Sequence, residues 1–149
     1  MKRFAALAGL LVLLATGSSA QDHGFGLGVI VGEPTGISAK EWISSRTAVD
    51  AGVAWSFRKK GFFHLHADYL IHFPDAIRSS ERLTLYAGIG GRLGLGRSDG
   101  IVGVRIVGGI AWWPKDTPLD IFLEIAPILD LAPATEMTAN GGIGIRFFF

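Results

Sequence analysis

Large apolar side chains recur at every second position along most of the chain from residue 24 onward. In the segment 62–73, Phe63 and Leu65 lie on one face of this pattern, and His64 and Asp68 lie on the other. A period of two indicates a β-strand with two unlike faces, because successive side chains of a strand point to opposite sides. The chain is therefore predicted to be all-β.

The same alternation can be followed through eight segments. They cover residues 24–32, 35–43, 46–57, 62–73, 82–94, 101–113, 119–131 and 140–149. Most of the stretches between them are rich in Gly, Pro, Asp and Ser, which predicts turns. Short links place neighbouring strands antiparallel, and an even number of strands can close without leaving an edge. The prediction is an eight-stranded antiparallel up-and-down β-barrel.

Alternation does not decide which face is outside, since a soluble lipocalin-like barrel has the same period with its apolar face inside. Here the apolar face carries more bulky side chains than the narrow interior of an eight-stranded barrel can hold. The opposite face is rich in glycine, which suits a lumen crossed by long side chains. Charged residues make up only 18% of the chain, below the roughly 25% usual in soluble domains. The apolar face is therefore expected to meet lipid, which makes the barrel transmembrane.

Aromatic residues group near the predicted strand ends, as in the interfacial girdles of membrane barrels. One expected rim contains Phe25, Trp42, Phe73, Trp112, Trp113, Phe147 and Phe149, and the other contains Trp55, Phe57, Phe62 and Phe63.

The first residues have the features of a secretory signal peptide. Lys2 and Arg3 precede an apolar run at residues 4–15, and Ser18-Ser19-Ala20 is a small-residue cleavage site. The apolar run is too short for a spanning helix. We expect residues 1–20 to be a cleaved signal peptide and residues 21–149 to be the barrel.

The chain over residues 24–149 resembles the small eight-stranded outer-membrane barrels typified by the outer membrane protein A transmembrane domain and OmpX. The end of the chain carries the most specific likeness, with alternating Ile143, Ile145, Phe147 and the final Phe149. This resemblance implies a location in the bacterial outer membrane, contact with its lipid, and recognition of the last strand by the barrel-assembly machinery. We expect a monomer with both mature termini on the periplasmic side.

Ten charged residues fall on the predicted lumenal face. They are Lys40, Asp50, Asp68, Arg82, Arg92, Arg105, Asp120, Glu124, Asp130 and Arg146. Unpaired charge is costly away from water, so these side chains should pair. Counting from the turns places Lys40 beside Asp50, and Glu124 between Arg105 and Arg146. A polar plug is the leading interpretation, and a narrow channel or small-solute binder that uses the polar lumen is the alternative.

His64, His66 and Asp68 share the lumenal face of one strand, and His-x-His with a carboxylate can bind Zn²⁺ or Cu²⁺. Nothing else in the sequence supplies a further ligand, so these three are candidates only, and we predict no metal and no cofactor. There is no cysteine, which removes thiolate ligands.

A lipid-modifying enzyme is a third possibility, because some small outer-membrane barrels have that activity. No serine has an evident histidine and carboxylate companion, so no catalytic residue is assigned and no enzyme is predicted. The formal net charge of +1 gives no reason to expect a nucleic-acid partner. The sequence therefore predicts an integral outer-membrane barrel with a structural or interaction role and a lumen plugged by charges.

Overall fold

The computed structural model describes residues 23–55, 63–96 and 100–149. It contains eight strands, β1 (Phe25–Glu33), β2 (Thr35–Trp42), β3 (Thr47–Trp55), β4 (Phe63–Phe73), β5 (Leu83–Leu95), β6 (Gly100–Trp112), β7 (Leu119–Ala132) and β8 (Glu136–Phe148). No helix among these residues is both long enough and apolar enough to span a bilayer.

Each strand pairs antiparallel with the next, and β1 pairs with β8, so the sheet is closed. The register can be followed once around the barrel, beginning at Gly26 and its β2 partner Lys40, and it arrives at Thr138 of β8. The β8 partner of Gly26 in the closing pair is Phe148, ten residues further on. Such a stagger shows that the strands tilt, as closure of a sheet into a barrel requires. The predicted eight-stranded up-and-down barrel is confirmed.

The last strand is longer than the sequence indicates. We expected a link at residues 132–139, but β8 begins at Glu136, and Met137 and Thr138 pair with β7. Met137 continues the outward-facing apolar positions of β8, but the polar residues Glu136, Thr138 and Asn140 around it concealed the pattern. Only residues 133–135 connect β7 to β8.

The two faces of the sheet point as predicted. Large apolar side chains are exposed on the outer surface of every strand, whereas most of the charged side chains on the alternate positions are buried. A surface of this kind cannot be covered by water without cost, and lipid is the solvent that suits it. The chain thus has the fold of a transmembrane β-barrel.

The exposed aromatics occupy both rims, with Phe25, Phe73 and Trp112 at one and Trp55 and Phe63 at the other. The assignment of two tryptophans to a girdle was wrong, as explained next.

Trp42 and Trp113 are only 6% and 5% exposed. Their rings meet edge to face with centroids 5.7 Å apart, inside the mouth of the barrel. Trp42 lies two residues after the buried Lys40 of β2, and Trp113 lies two residues after the buried Ala111 of β6. Residues two apart on a strand share a face, so both rings point inward.

The two ends of the barrel differ in their connections. We call the end at which β1 begins and β8 finishes the terminus end, and the opposite end the distal end. The β2–β3, β4–β5 and β6–β7 connections lie at the terminus end, and the described β1–β2 and β7–β8 connections lie at the distal end. The expected signal peptide, the turn at 58–61, Phe57, Phe62 and residues 97–99 lie outside the described residues.

Candidate functional site

Nine of the ten predicted lumenal charges are buried in the barrel interior. Arg82 was placed there incorrectly, because it is exposed and precedes β5 at the terminus end. Its carbonyl oxygen accepts a hydrogen bond from the Trp113 amide at 2.9 Å, and its guanidinium lies 5.8 Å from the Trp113 ring centroid. Arg82 therefore belongs to the rim.

Four of the buried charges form what we call the proximal network, Lys40, Asp50, Asp120 and Arg146. Arg146 donates to Asp50 Oδ2 at 2.9 Å and to Asp120 Oδ2 at 3.2 Å. Its Nε donates to the Ser38 hydroxyl at 2.9 Å. Lys40 Nζ lies 3.4 Å from the same Asp120 oxygen. The two cations and two carboxylates balance each other within one cluster.

An aromatic layer separates the proximal network from the terminus end. Lys40 Nζ lies 2.9 Å from His72 Nε2 and 4.4 Å from the centroid of the Trp42 ring. The His72 ring packs against Trp42 with centroids 4.4 Å apart and stacks on Tyr86 at 5.4 Å. Trp113 completes the layer beside His72. These rings lie between the ion pairs and the terminus end of the lumen.

A second group, which we call the distal network, consists of Arg105, Asp68 and Glu124. Arg105 Nη2 donates to Glu124 Oε1 at 3.0 Å, and the Tyr86 hydroxyl donates to Glu124 Oε2 at 3.1 Å. Arg105 Nε lies 3.0 Å from Asp68 Oδ2, but neither atom makes a hydrogen bond. The contact is therefore an ion pair whose geometry does not form a hydrogen bond.

Closer still to the distal end, Arg92 and Asp130 form a bidentate pair. Arg92 Nε donates to Asp130 Oδ1 at 2.7 Å, and Nη2 contacts Oδ2. A fork of this kind satisfies both groups and needs no third partner.

The predicted pairings are only partly correct. Lys40 and Asp50 are direct cross-strand neighbours, but Lys40 forms its ion pair with Asp120, while Asp50 is held by Arg146. Glu124 contacts Arg105 as expected. The expected contact between Glu124 and Arg146 is wrong, because Glu124 lies opposite Gly142 in the register and Asp120 lies opposite Arg146.

Lumenal glycines provide the space that these long side chains cross. A Cβ on Gly90 would collide with Asp68 Oδ1, and one on Gly103 would contact Asp130 Oδ1. Gly90 is the cross-strand partner of Asp68, and Gly103 is that of Asp130. Each carboxylate therefore lies across a strand that has no side chain there, which allows ion pairs to form between strands that are not adjacent.

The candidate metal ligands are not brought together as a set. His64 Nε2 lies 3.4 Å from both Arg105 Nη1 and Asn140 Nδ2, outside the group of metal-ligating side chains. Instead, Asp50, His66 and Asp68 each offer one ligand atom, and these three atoms lie within 4.8 Å of one another. Sequence reasoning missed Asp50 as a member, because only the register shows that it faces Asp68.

A cavity of about 20 Å³ adjoins the distal network, and it has room for roughly one water molecule. Polar side chains on its wall include His66, Arg105, Glu124 and Asn140, and Glu33 and Pro34 bound it at the distal end. Asn140 was not predicted to take part. Asn140 lies an even number of residues before Arg146 on β8, so both side chains are expected on the lumenal face, and this spacing could have identified Asn140.

No protein-family model and no curated protein sequence matches the chain. Its structure is similar to the crystal structure of Neisserial surface protein A (NspA), with a TM-score of 0.57 and 15% sequence identity. The match covers 84% of this chain and 93% of NspA, an eight-stranded outer-membrane barrel. The two proteins share a fold, and at this identity the likeness extends no further.

Proposed function

We propose that the protein is an integral protein of the bacterial outer membrane with a structural or interaction role, and that its lumen is closed by paired charges. The observation that carries this proposal is the combination of an apolar exterior with an interior filled by side chains. A barrel with a structural or interaction role can have a filled interior, whereas a pore needs an open one.

The exterior supports the membrane location. Ile89, Ile106, Ile125 and Ile143 are each at least 60% exposed, and they lie within four different strands. Leaving such side chains in water forgoes the free energy gained by removing apolar surface from water. The fold shared with NspA supports the same location.

The interior supports the closed state. Arg146 and Arg105 span the lumen, since each forms ion pairs with carboxylates on two other strands. The aromatic layer of Trp42, His72 and Trp113 blocks the terminus end. An ion that crosses would have to displace both layers.

In keeping with this location, we propose that residues 1–20 are removed on export and that the terminus end faces the periplasm. The strand β8, followed by Phe149, is then the segment that the assembly machinery recognises. The monomer is the proposed state, because the barrel closes within one chain.

Conductance in planar bilayers tests the closed lumen. The purified protein should insert without resolved single-channel steps, while a general porin in the same bilayer provides the positive control. Resolved steps with a constant unit conductance would contradict the plug and favour the narrow channel that was the alternative from the sequence.

A charge on the outer surface tests the membrane location separately. Ile106 lies at the centre of β6 and is 62% exposed. Ile106→Arg should destabilise the barrel in lipid by about 2–4 kcal/mol if the position meets the bilayer midplane. Ile106→Met is the matched control and should have little effect. Equal urea midpoints for the two variants in lipid vesicles would refute the membrane assignment.

A further inference from the structure

The two charge networks meet at Asp50 and Asp68, which face each other on β3 and β4. Both carboxylates are almost fully buried. His66 lies two residues before Asp68, so its side chain is on the same lumenal face. Its cross-strand partner is Gly52, and a Cβ at that glycine would collide with the imidazole ring. The absence of a side chain on Gly52 therefore lets the ring lie over β3, next to Asp50.

Each of the three residues has a buried polar atom that no described group satisfies. Asp50 Oδ1, both carboxylate oxygens of Asp68 and His66 Nδ1 make no hydrogen bond. Leaving one buried acceptor without a partner typically costs about 1–3 kcal/mol. Several such atoms at one place indicate that a further group completes the cluster.

The charge balance shows the sign of that group. Among the described residues, the buried charges comprise five carboxylates and four cationic side chains. Arg92 and Asp130 neutralise each other, and the proximal network is also balanced, so the excess negative charge lies in the distal network, where Arg105 faces both Asp68 and Glu124. A buried charge without compensation is strongly unfavourable. The missing group is therefore positively charged.

We propose that Asp50, His66 and Asp68 bind a divalent transition-metal ion inside the barrel, as a site of mixed imidazole and carboxylate ligands. This donor set is typical of Zn²⁺ and related ions. The three ligand atoms lie within 4.8 Å of one another, whereas the ligand atoms of a tetrahedral zinc ion lie about 3.5 Å apart. The three side chains must therefore move closer together when the ion binds.

A proton shared by the two carboxylates is the simplest competing arrangement. It would remove the excess negative charge, but it would leave His66 Nδ1 buried without a partner. A metal ion satisfies the imidazole and both carboxylates at once. The cavity on whose wall His66 lies provides space for a water ligand.

The arginines do not compete for the same atoms. Arg146 holds Asp50 through Oδ2, and Asp50 Oδ1 is the unsatisfied oxygen. Arg105 approaches Asp68 through Oδ2, which leaves Oδ1 for the ion. Each carboxylate can thus keep its arginine and still offer one oxygen.

Metal titration of the purified protein in detergent, without an oligohistidine tag, tests the proposal. Calorimetry with ZnCl₂ should give one ion per chain, and MgCl₂ should give no comparable heat, because imidazole is a poor ligand for Mg²⁺. His66→Asn should weaken Zn²⁺ binding by at least about tenfold, since changes even around a metal ligand cost this much.

His64→Asn is the matched control, because it removes the same side chain from the same face of β4 but lies outside the cluster. The affinity of this variant for Zn²⁺ should remain within about threefold of wild type, because it keeps all three proposed ligands. The proposal is overturned if wild type binds no Zn²⁺ with this stoichiometry, or if the two variants lose affinity equally.

A second measurement covers the case in which a variant does not fold. Co²⁺ added to the wild-type protein should give visible absorption bands that Zn²⁺ abolishes, as expected for two ions that compete for one nitrogen and oxygen site. If Zn²⁺ leaves the Co²⁺ spectrum unchanged, or if no bands form, Asp50 and Asp68 share a proton instead.

Discussion

The proximal and distal halves of the lumen are filled in different ways. Near the terminus end, aromatic rings cover a charge cluster whose cations and carboxylates match in number. Near the distal end, Arg105 holds two carboxylates imperfectly, and a small cavity reaches the same place. The two halves therefore differ in charge balance and in free space, and not in hydrogen-bond satisfaction, because Asp120 Oδ1 and Trp42 Nε1 in the proximal half also lack a partner among the described residues.

The difference follows from what lies beside each network. The rings of His72, Trp42 and Tyr86 surround the Lys40 ammonium group. Around Arg105 the neighbours are short or polar, and the cavity remains. Where no water is present, every buried charge needs a partner within the protein, because an uncompensated buried charge is strongly destabilising. Where a cavity is adjacent, a water molecule can replace a missing partner.

The largest effect is expected when a spanning arginine is removed. Arg146→Met should destabilise the protein by about 3–5 kcal/mol, because Asp50 loses its cation and Asp120 keeps the longer contact with Lys40. Arg105→Met should cost about 2–3 kcal/mol, because water from the cavity can solvate Asp68 and Glu124. Urea unfolding in lipid vesicles measures both. Equal losses would mean that the two halves do not differ in hydration.

A smaller effect is expected when lumenal glycines gain a methyl group. In Gly26→Ala the new Cβ would lie 2.7 Å from the buried Phe148 ring, and crowding of this kind costs about 1–3 kcal/mol. In Gly52→Ala the group displaced is His66, which can move toward the cavity, so we expect a loss below about 1 kcal/mol.

Gly108→Ala is the control for both glycine variants, because a Cβ there meets nothing within 4 Å. It should be neutral or slightly stabilising, since alanine loses less backbone entropy than glycine on folding. If Gly52→Ala were as costly as Gly26→Ala, the distal half would be as tightly packed as the proximal half.

The smallest effect is expected at the boundary between the halves. Tyr86→Phe removes the hydrogen bond to Glu124 and keeps the stacking on His72, so the loss should be about 0.5–1.5 kcal/mol. The double variant with Glu124→Gln should lose less than the sum of the single variants, as contacting residues do. Additive losses in the urea series would show that the bond does not contribute to stability.

Much of the architecture follows from local pattern. The predicted segment 62–73 matches β4 at its C-terminal end and within one residue at its start, because alternation over many residues leaves one face for lipid and one for the lumen. The start of β8 was missed, since polar residues at a strand end resemble a turn. Trp42 and Trp113 were misplaced because proximity to a rim does not reveal which way a side chain points.

The sequence by itself determined the strands, their two faces and the identity of nine buried charges. Each of these depends only on which residues occupy alternate positions along a strand. The partners of those charges were decided by the tertiary structure. Asp68 and Asp130 lie over Gly90 and Gly103 and meet arginines on strands that are not their neighbours, and the tilt of the closed sheet sets which charges meet. Asp50 joins His66 and Asp68 for the same reason, since that juxtaposition exists only after β3 and β4 pair in one register.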